Sequence, residues 1–373
     1  MFRVKTRDQI ATYAYGHDFG NSETCGAVLK GKGNPQKVMI PSVWAPGSWG
    51  EVESLAGSMG QDVRSYMQSN HYHLRYVGKG GEMLDEYVGQ KVFDDRMSVS
   101  SSLGDMERYW RNNWSLAALM VASGSLISDQ AYALHVTTGV PVKHFSDQMK
   151  AQVVDALKGT YTFTLNNTSR TMIVKSVKVV SEAAGALIAY GENKGRDEGL
   201  IDVGGFTTDL YGVRSQRPIM SMRNATQKGV SHAIDLFNRK FKGEFGVELV
   251  PNTCRQIFRE YAAKKITTTV RDLNKKAVPL RDVGRLVNEA VQVVGDEIAG
   301  FVQSAWSSNP DVERALLVGG GAYYFKDIVC ERFPYVTVPA DPEYANVLGY
   351  VALSAQTMMK FEHESPATEE VAG

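Results

Sequence analysis

Residues 199–213, Gly199-Leu200-Ile201-Asp202-Val203-Gly204-Gly205-Phe206-Thr207-Thr208-Asp209-Leu210-Tyr211-Gly212-Val213, set two carboxylates, two hydroxyls and adjacent glycines between two apolar runs. Leu200 and Ile201 read as a short buried strand leading in, and Leu210, Tyr211 and Val213 as one leading out. The segment from Gly204 to Thr208 is then the turn. Gly204 and Gly205 lack Cβ atoms, so backbone N–H groups can approach an anion closely and positive φ is tolerated. Thr207 and Thr208 add hydroxyl donors. The chemistry that suits this set is phosphate gripping. Asp202 would repel a bare phosphate, so its position makes sense mainly if a hydrated Mg²⁺ lies between the two. An ordinary hairpin with a polar turn is the alternative, because Gly-rich turns are common.

The design occurs twice. Tyr13-Ala14-Tyr15-Gly16-His17-Asp18-Phe19-Gly20-Asn21-Ser22-Glu23-Thr24-Cys25-Gly26-Ala27-Val28-Leu29 again runs strand, Asp-x-Gly, polar turn, strand. Two such hairpins suggest two related halves facing one nucleotide. A third element, Ala315-Leu316-Leu317-Val318-Gly319-Gly320-Gly321-Ala322, is an apolar strand run that ends in three glycines. There the bare backbone could lie flat against a nucleoside or its α-phosphate. A lone glycine triplet is weak evidence, whereas the ordered set of three elements is strong.

With these motifs the chain resembles the superfamily of actin, Hsp70 and sugar-kinase ATPases, and within it the actin-like proteins of the ParM and archaeal type. Val38-Met39-Ile40-Pro41-Ser42-Val43-Trp44-Ala45 looks like that family's third strand and its exit. His135-Val136-Thr137-Thr138-Gly139-Val140-Pro141 looks like the strand and loop closing the first half, and Glu343 to Tyr350 like the second connecting segment, where the chain returns to the first domain as a helix. The resemblance covers roughly Tyr13 to Met359. It implies an α/β, actin-like ATPase fold: two duplicated ribonuclease H-like domains around a nucleotide cleft, each with a small subdomain.

The resemblance also implies roles. Asp18 and Asp202 would hold waters of the Mg²⁺ shell. Gly20, Asn21 and Ser22 would meet the terminal phosphates of ATP from one side, and Gly204, Gly205 and Thr207 from the other. Gly319, Gly320 and Gly321 should contact the α-phosphate and ribose. Glu182, which lies 20 residues before Asp202 at a strand-to-helix junction, matches the glutamate of ParM-like proteins and would orient the attacking water. Positioning, Mg²⁺ and one such side chain carry phosphoryl transfer to water; Glu182 could instead be a helix-start carboxylate favoured by the dipole. Asp209 orients the hydrated cation or fixes the hairpin. Lys228 and Gly229 would approach the ribose, with a basic surface residue at a helix start as the other reading of Lys228. Arg239 and Lys240 lie where relatives contact adenine. One departure stands out: many relatives carry a lysine three residues after the Ser22 position, and here that residue is Cys25. The change removes a charge-assisted contact to the β- and γ-phosphates, and GTP stands beside ATP as a nucleotide the resemblance allows. Cys25 itself reads as a small strand residue rather than a reactive thiol.

Bulk properties set limits. With 373 residues and 43% hydrophobic content the chain can bury two sizeable cores. Lys and Arg (41) balance Asp and Glu (41), which leaves no general electrostatic drive toward nucleic acid or anionic membrane. Any DNA contact is therefore expected to go through an adaptor protein. Cys25, Cys254 and Cys330 show no paired spacing, so neither a disulfide framework nor a zinc site is indicated and a reducing cytoplasm fits. The first eight residues lack an apolar core and do not read as a signal peptide. Leu116 to Ile127 is too short for a bilayer and reads as a buried core helix. His71 and His73 read as solvated loop histidines.

The expected organisation is domain I over residues 1–180, completed by a helix over about 345–360, and domain II over 181–344. A less regular small subdomain is expected over about 46–104 and a helical one over about 250–300, with a disordered tail over 361–373. Helices are expected at Glu107 to Leu126, Met149 to Leu157, Val230 to Phe241 and Leu286 to Trp306, and strands from Tyr161 to Val180 separated by an Asn166-Asn167 turn. Of the functions this fold supports, a filament that assembles head to tail with ATP is favoured. It would serve plasmid or DNA segregation or intracellular organisation. A small-molecule kinase or an Hsp70-like ATPase is the alternative.

Overall fold

The computed structural model describes residues 10–31, 33–63, 67–68, 70–94, 100–101, 113–141, 144–192, 195–215, 217–309 and 311–364. The chain divides into two compact units, Met1–Ala189 with Asn346–Gly373, and Tyr190–Ala345.

The first unit is built on a ten-stranded sheet. In chain order its strands are β1 (Ala11–Phe19), β2 (Glu23–Leu29), β3 (Gln36–Pro41), β4 (Val43–Pro46), β5 (His71–Val77), β6 (Met83–Gly89), β7 (Ser100–Ser101), β8 (Ala131–Val140), β9 (Gly159–Leu165) and β10 (Thr168–Ser181). Their spatial order is β3-β2-β1-β8-β10-β9-β5-β6-β4-β7. At the centre β1, β8 and β10 run parallel. β8 is buried along nearly its whole length, as expected of a parallel strand covered on both faces. The helix Trp114–Leu126 packs chiefly against β2 and β3, and its residues are apolar all round rather than on one stripe, so the helix is enclosed rather than lying on the surface. Ser123 keeps this helix dry by donating its hydroxyl to the Leu119 carbonyl (2.7 Å) and sharing a hydrogen bond with the Tyr132 hydroxyl (2.9 Å). Residues 107–112 of the expected helix lie outside the described residues.

Residues 46–94 are more regular than expected. Ser48 caps the helix Trp49–Ser58 in a capping box with Glu51, a signal that spans only four residues and was hidden among glycines and serines. β5 and β6 form a hairpin with Gly78 to Gly81 at its turn, where Gly81 takes φ +86°. This part has a core of its own, around Val43, Ala45, Val52, Met67, Tyr87 and Val92. His71 and His73 are not solvated loop residues. Both sit on β5 and are buried, His71 Nε2 lying 2.8 Å from Asp94 and His73 Nε2 2.5 Å from Asp85. Their carboxylate partners are distant in sequence, which is why the spacing of the histidines alone misled.

Two further elements fall close to their expected bounds. The helix Asp147–Leu157 is capped by Ser146, and β9 and β10 meet at Asn166 and Asn167, both in the left-handed region. The last helix, Ala345–Glu364, extends beyond the expected break at 360, and Phe361 there packs at a tilt against the buried His135, with ring centroids 5.0 Å apart. The rest of the expected tail, residues 365–373, lies outside the described residues.

The second unit carries β11 (Asp197–Val203), β12 (Thr208–Arg214), β13 (Arg217–Pro218), β14 (Asn224–Thr226), β15 (Val312–Val318) and β16 (Val336–Thr337) in a six-stranded sheet. The antiparallel pair β11–β12 is the second hairpin, and β15 lies parallel to β11 on its other side. The helices Val230–Phe245, Pro251–Ala262, Leu280–Trp306 and Ala322–Arg332 are helical partners of this sheet. Leu280–Trp306 turns Val283, Leu286, Val287, Ala290, Val291, Val294, Ile298 and Val302 inward at helical spacing, which fills the core with Phe237, Phe241 and Phe258.

Candidate functional site

In the first unit the Asp18 hairpin pairs β1 with β2, so that Asp18 faces Cys25 directly across the ladder. The turn between them is tight: a Cβ at Gly20 would lie 2.3 Å from the Glu23 carbonyl oxygen, and only glycine fits. A residue from β3's exit holds it closed. Ser42, fully buried, donates its hydroxyl to the Gly20 carbonyl (2.6 Å) and its backbone N–H to the Ser22 carbonyl (2.9 Å). Thr24 donates its hydroxyl to the Asp18 carbonyl (3.0 Å) and lies 2.9 Å from His17 Nε2. Because the Thr24 proton is committed to Asp18, the His17 Nε2 must carry the other hydrogen, which fixes the tautomer. Burial pushes His17 down to about 3, so this ring stays neutral. Burial likewise pushes the Asp18 carboxyl up to about 6. Asn21 occupies the turn beside Gly20 and Ser22.

Glu182 opens the helix Glu182–Tyr190 directly after β10. In register, His17 on β1 and Val179 on β10 both pair with Thr138 of β8. Asp18 and Glu182 therefore stand at the same, C-terminal end of the parallel strands, on the two strands that flank β8. That end of a parallel sheet is where loops gather to form sites.

In the second unit the Asp202 hairpin puts Asp202 opposite Asp209 in register. The Thr207 hydroxyl donates to Asp209 Oδ2 (3.0 Å), and the Gly204 N–H closes the turn on the Thr207 carbonyl (2.9 Å). The turn is anchored from behind by the start of the helix Val230–Phe245: the N–H of Val230 donates to the Gly204 carbonyl (3.2 Å) and that of Ser231 to the Gly205 carbonyl (2.8 Å). Gly229 makes this approach possible, since a Cβ there would lie 2.6 Å from the Gly204 carbonyl oxygen. Thr208 donates to the Lys228 carbonyl (2.8 Å), whereas the Lys228 side chain pairs with Glu297 (2.6 Å). Lys240 pairs with Glu289 (2.8 Å), and Arg239 is exposed on the same helix.

The glycine loop completes this cluster. Val318 pairs with Asp202, so Gly319 emerges beside it with φ +82°. A Cβ at Gly319 would lie 2.5 Å from Asp202 Oδ1, and the Gly321 N–H donates to the Val203 carbonyl (2.8 Å). Gly319 also donates its N–H to the Pro342 carbonyl (2.9 Å). A Cβ at Gly320 would meet nothing within 4 Å, so the space on its side-chain side is open. Asp202, Asp209, Gly204, Gly205, Thr207, Gly229, Gly319 and Gly321 are thus brought together by three connections of the second unit. Among the described residues no group of three metal-ligating side chains occurs. Mg²⁺ retains most of its waters and needs only one or two carboxylates, so a carboxylate such as Asp202 fits its demand, while Asp209 accepts the Thr207 hydroxyl within the hairpin.

Sequence reasoning missed Ser42, Thr24 and His17 as supports of the first turn. Ser42 stands at the exit of β3, but its hydrogen bonds reach back to Gly20 and Ser22 and leave no local pattern.

An aspartate hairpin at the end of a parallel strand in one unit, and an aspartate hairpin beside a glycine loop in the other, define an actin-like protein. The chain belongs to this family: residues 16–185 match the N-terminal domain of actin-like proteins, and residues 200–331 match the C-terminal part of the archaeal actin homologue, MreB-like. No curated protein matches the chain. Among solved structures it is similar to a ParM of a 15-stranded filament from Clostridium botulinum, at 21% identity and TM-score 0.72, covering 93% of this chain and 100% of that one. Bacillus thuringiensis ParM with ATP is similar at 14% identity and TM-score 0.71, covering 93% and 99%. An archaeal actin homologue, Ta0583, is similar at 21% identity and TM-score 0.67, covering 93% and 100%. At these identities the likeness is one of fold. No helix among the described residues is long and apolar enough to cross a membrane.

Proposed function

We propose that this chain binds and hydrolyses ATP with Mg²⁺ and assembles with copies of itself into filaments in the cytoplasm. The observation that carries this reading is the cluster of Asp202, Asp209, Thr207 and the glycine backbones of residues 204, 205 and 319–321 in the second unit. Such a set offers N–H donors, hydroxyls and carboxylates at close range without bulky side chains, as a magnesium triphosphate requires. The match to actin-like families and the fold shared with a ParM bound to ATP and a ParM from a filament support it.

In this reading the Gly204, Gly205 and Gly320 backbones and the Thr207 hydroxyl bind phosphate oxygens, and Gly20, Asn21 and Ser22 are phosphate-binding residues as well. Asp18 and Asp202 would each hold water of a Mg²⁺ shell, and the cation would offset the charge of the phosphates. Glu182 orients a water for attack on the terminal phosphorus, and Gly319 and Gly321 leave room for the ribose. With Lys228 engaged by Glu297, its contribution to the site is its carbonyl, which fixes Thr208. Linkage to DNA goes through an adaptor protein, since the balanced charge provides no direct drive toward nucleic acid.

The purified protein is expected to pellet on adding ATP and Mg²⁺ and to show filaments by electron microscopy. Glu182→Ala should slow phosphate release and prolong assembly. A wild type that stays monomeric at high concentration with every nucleotide, while phosphorylating a sugar or an acid, would overturn the filament reading.

A further inference from the structure

The start of the helix Glu182–Tyr190 is not left to itself. In an isolated α-helix the Glu182 carbonyl and the Ala186 N–H bond to each other. Here each has a side-chain partner on the helix Ala345–Glu364: the Tyr350 hydroxyl donates to the Glu182 carbonyl (3.0 Å), and the Ala186 N–H donates to Asn346 Oδ1 (3.2 Å). Asn346 and Tyr350 are one helical turn apart, so a single face of one helix grips both ends of the first turn of the other.

Three glycines make that grip possible. A Cβ at Gly349 would lie 1.8 Å from the Gly185 carbonyl oxygen, and one at Gly185 would lie 2.4 Å from the Asn346 carbonyl oxygen. At Gly139, on β8, a Cβ would lie 2.0 Å from the Tyr350 hydroxyl and 2.9 Å from the Glu182 Cα. Tyr350 is fully buried, so its hydroxyl has no solvent alternative. The same helix is fixed to the Asp18 strand: Ser354 donates to the Tyr15 carbonyl (2.8 Å), and a Cβ at Gly16 would lie 2.5 Å from the Val347 carbonyl oxygen. One rigid element therefore spans from β1 to the backbone of Glu182.

We propose that Tyr350, with Asn346, is a positioning residue for Glu182: its hydroxyl sets the backbone from which the Glu182 carboxylate reaches the reacting water, and so sets the rate of hydrolysis without touching nucleotide. This rests on the reading of Glu182 as the water-orienting group. Tyr350→Phe removes one oxygen and keeps the buried ring. It is expected to lower kcat about fivefold, the value of one lost hydrogen bond, while ATP affinity stays within about twofold and kcat, not KM, carries the change. In a Glu182→Ala background, single-turnover phosphate release should show no further loss on adding Tyr350→Phe.

The outcomes separate the two claims. If Glu182→Ala slows hydrolysis and Tyr350→Phe leaves kcat unchanged, or slows it equally with and without Glu182, the positioning role is wrong and the Glu182 reading stands. If Glu182→Ala hydrolyses ATP like the wild type, or the wild type does not hydrolyse it, the reading of Glu182 falls and the role of Tyr350 falls with it. A melting temperature for each variant distinguishes a local shift from lost folding.

Discussion

The Asp18 and Asp202 hairpins share a strand, an aspartate, a glycine turn and a returning strand, but they are held in different ways. Side chains support the first turn: Ser42 and Thr24, with His17 behind Thr24. Backbone supports the second, through the first N–H groups of the helix Val230–Phe245 and the glycine loop that follows β15. A turn held by backbone depends on how closely two main chains can approach and tolerates no added atom at the contact. A turn held by side chains can lose one bond and keep the rest. The carboxylates differ in the same direction. Asp202 faces Asp209 and lies beside Gly319, whereas Asp18 is half-buried opposite Cys25 and its carboxyl is pushed up to about 6.

The largest break should come at the backbone contact. Gly229→Val forces side-chain atoms into the Gly204 and Gly205 carbonyls, and overpacking of this kind should weaken ATP binding about 100-fold. Titration with a fluorescent ATP analogue checks it, and affinity unchanged by the substitution would mean that the second turn is not held in this way. Ser42→Ala should do less. The Gly20 carbonyl loses its hydroxyl donor but the Ser42 N–H still holds Ser22, so a cost of about 1–2 kcal/mol and a roughly tenfold loss of affinity are expected.

The smallest effect concerns protons. Asp18 has its carboxyl raised from an ordinary 3.8 to about 6 by burial, so the folded protein holds a proton that the unfolded chain releases between those values. Its contribution to stability is present at low pH and is lost as pH rises through 6. Without nucleotide or metal, the wild type should gain a few degrees in melting temperature on going from pH 7 toward pH 5, relative to Asp18→Asn. Thermal melts of both proteins across that range measure the difference, and parallel curves would show that the Asp18 carboxyl is not raised.

The contrast also explains what could be read in the sequence. Both hairpins, the glycine loop and the strand-to-helix junction at Glu182 are local, each within about a dozen residues, and their residue types reveal the need for close backbone approach. The supports are not local. Ser42 reaches back to Gly20, Tyr350 to Glu182 and Ser354 to Tyr15, and a serine or tyrosine carries no mark of a partner that folding alone brings near. The pairing of His71 and His73 is hidden for the same reason, since Asp85 and Asp94 reach them only through the β5–β6 hairpin and the short helix Gln90–Asp94 after it. The capping box at Ser48 and Glu51 was legible by spacing and was masked by composition.

The helix Ala345–Glu364 has one more consequence, for how the molecule is made. The second unit is a continuous stretch, Tyr190–Ala345, but the first is finished only by residues that leave the ribosome after it. Until then Gly16, Gly139 and Gly185 line a groove without its occupant, and the Tyr15 and Glu182 carbonyls have yet to receive the Ser354 and Tyr350 hydroxyls. The second unit can fold during synthesis while the first waits for its last helix. A nascent chain stalled before Asn346 should therefore expose its first unit to protease while the second resists.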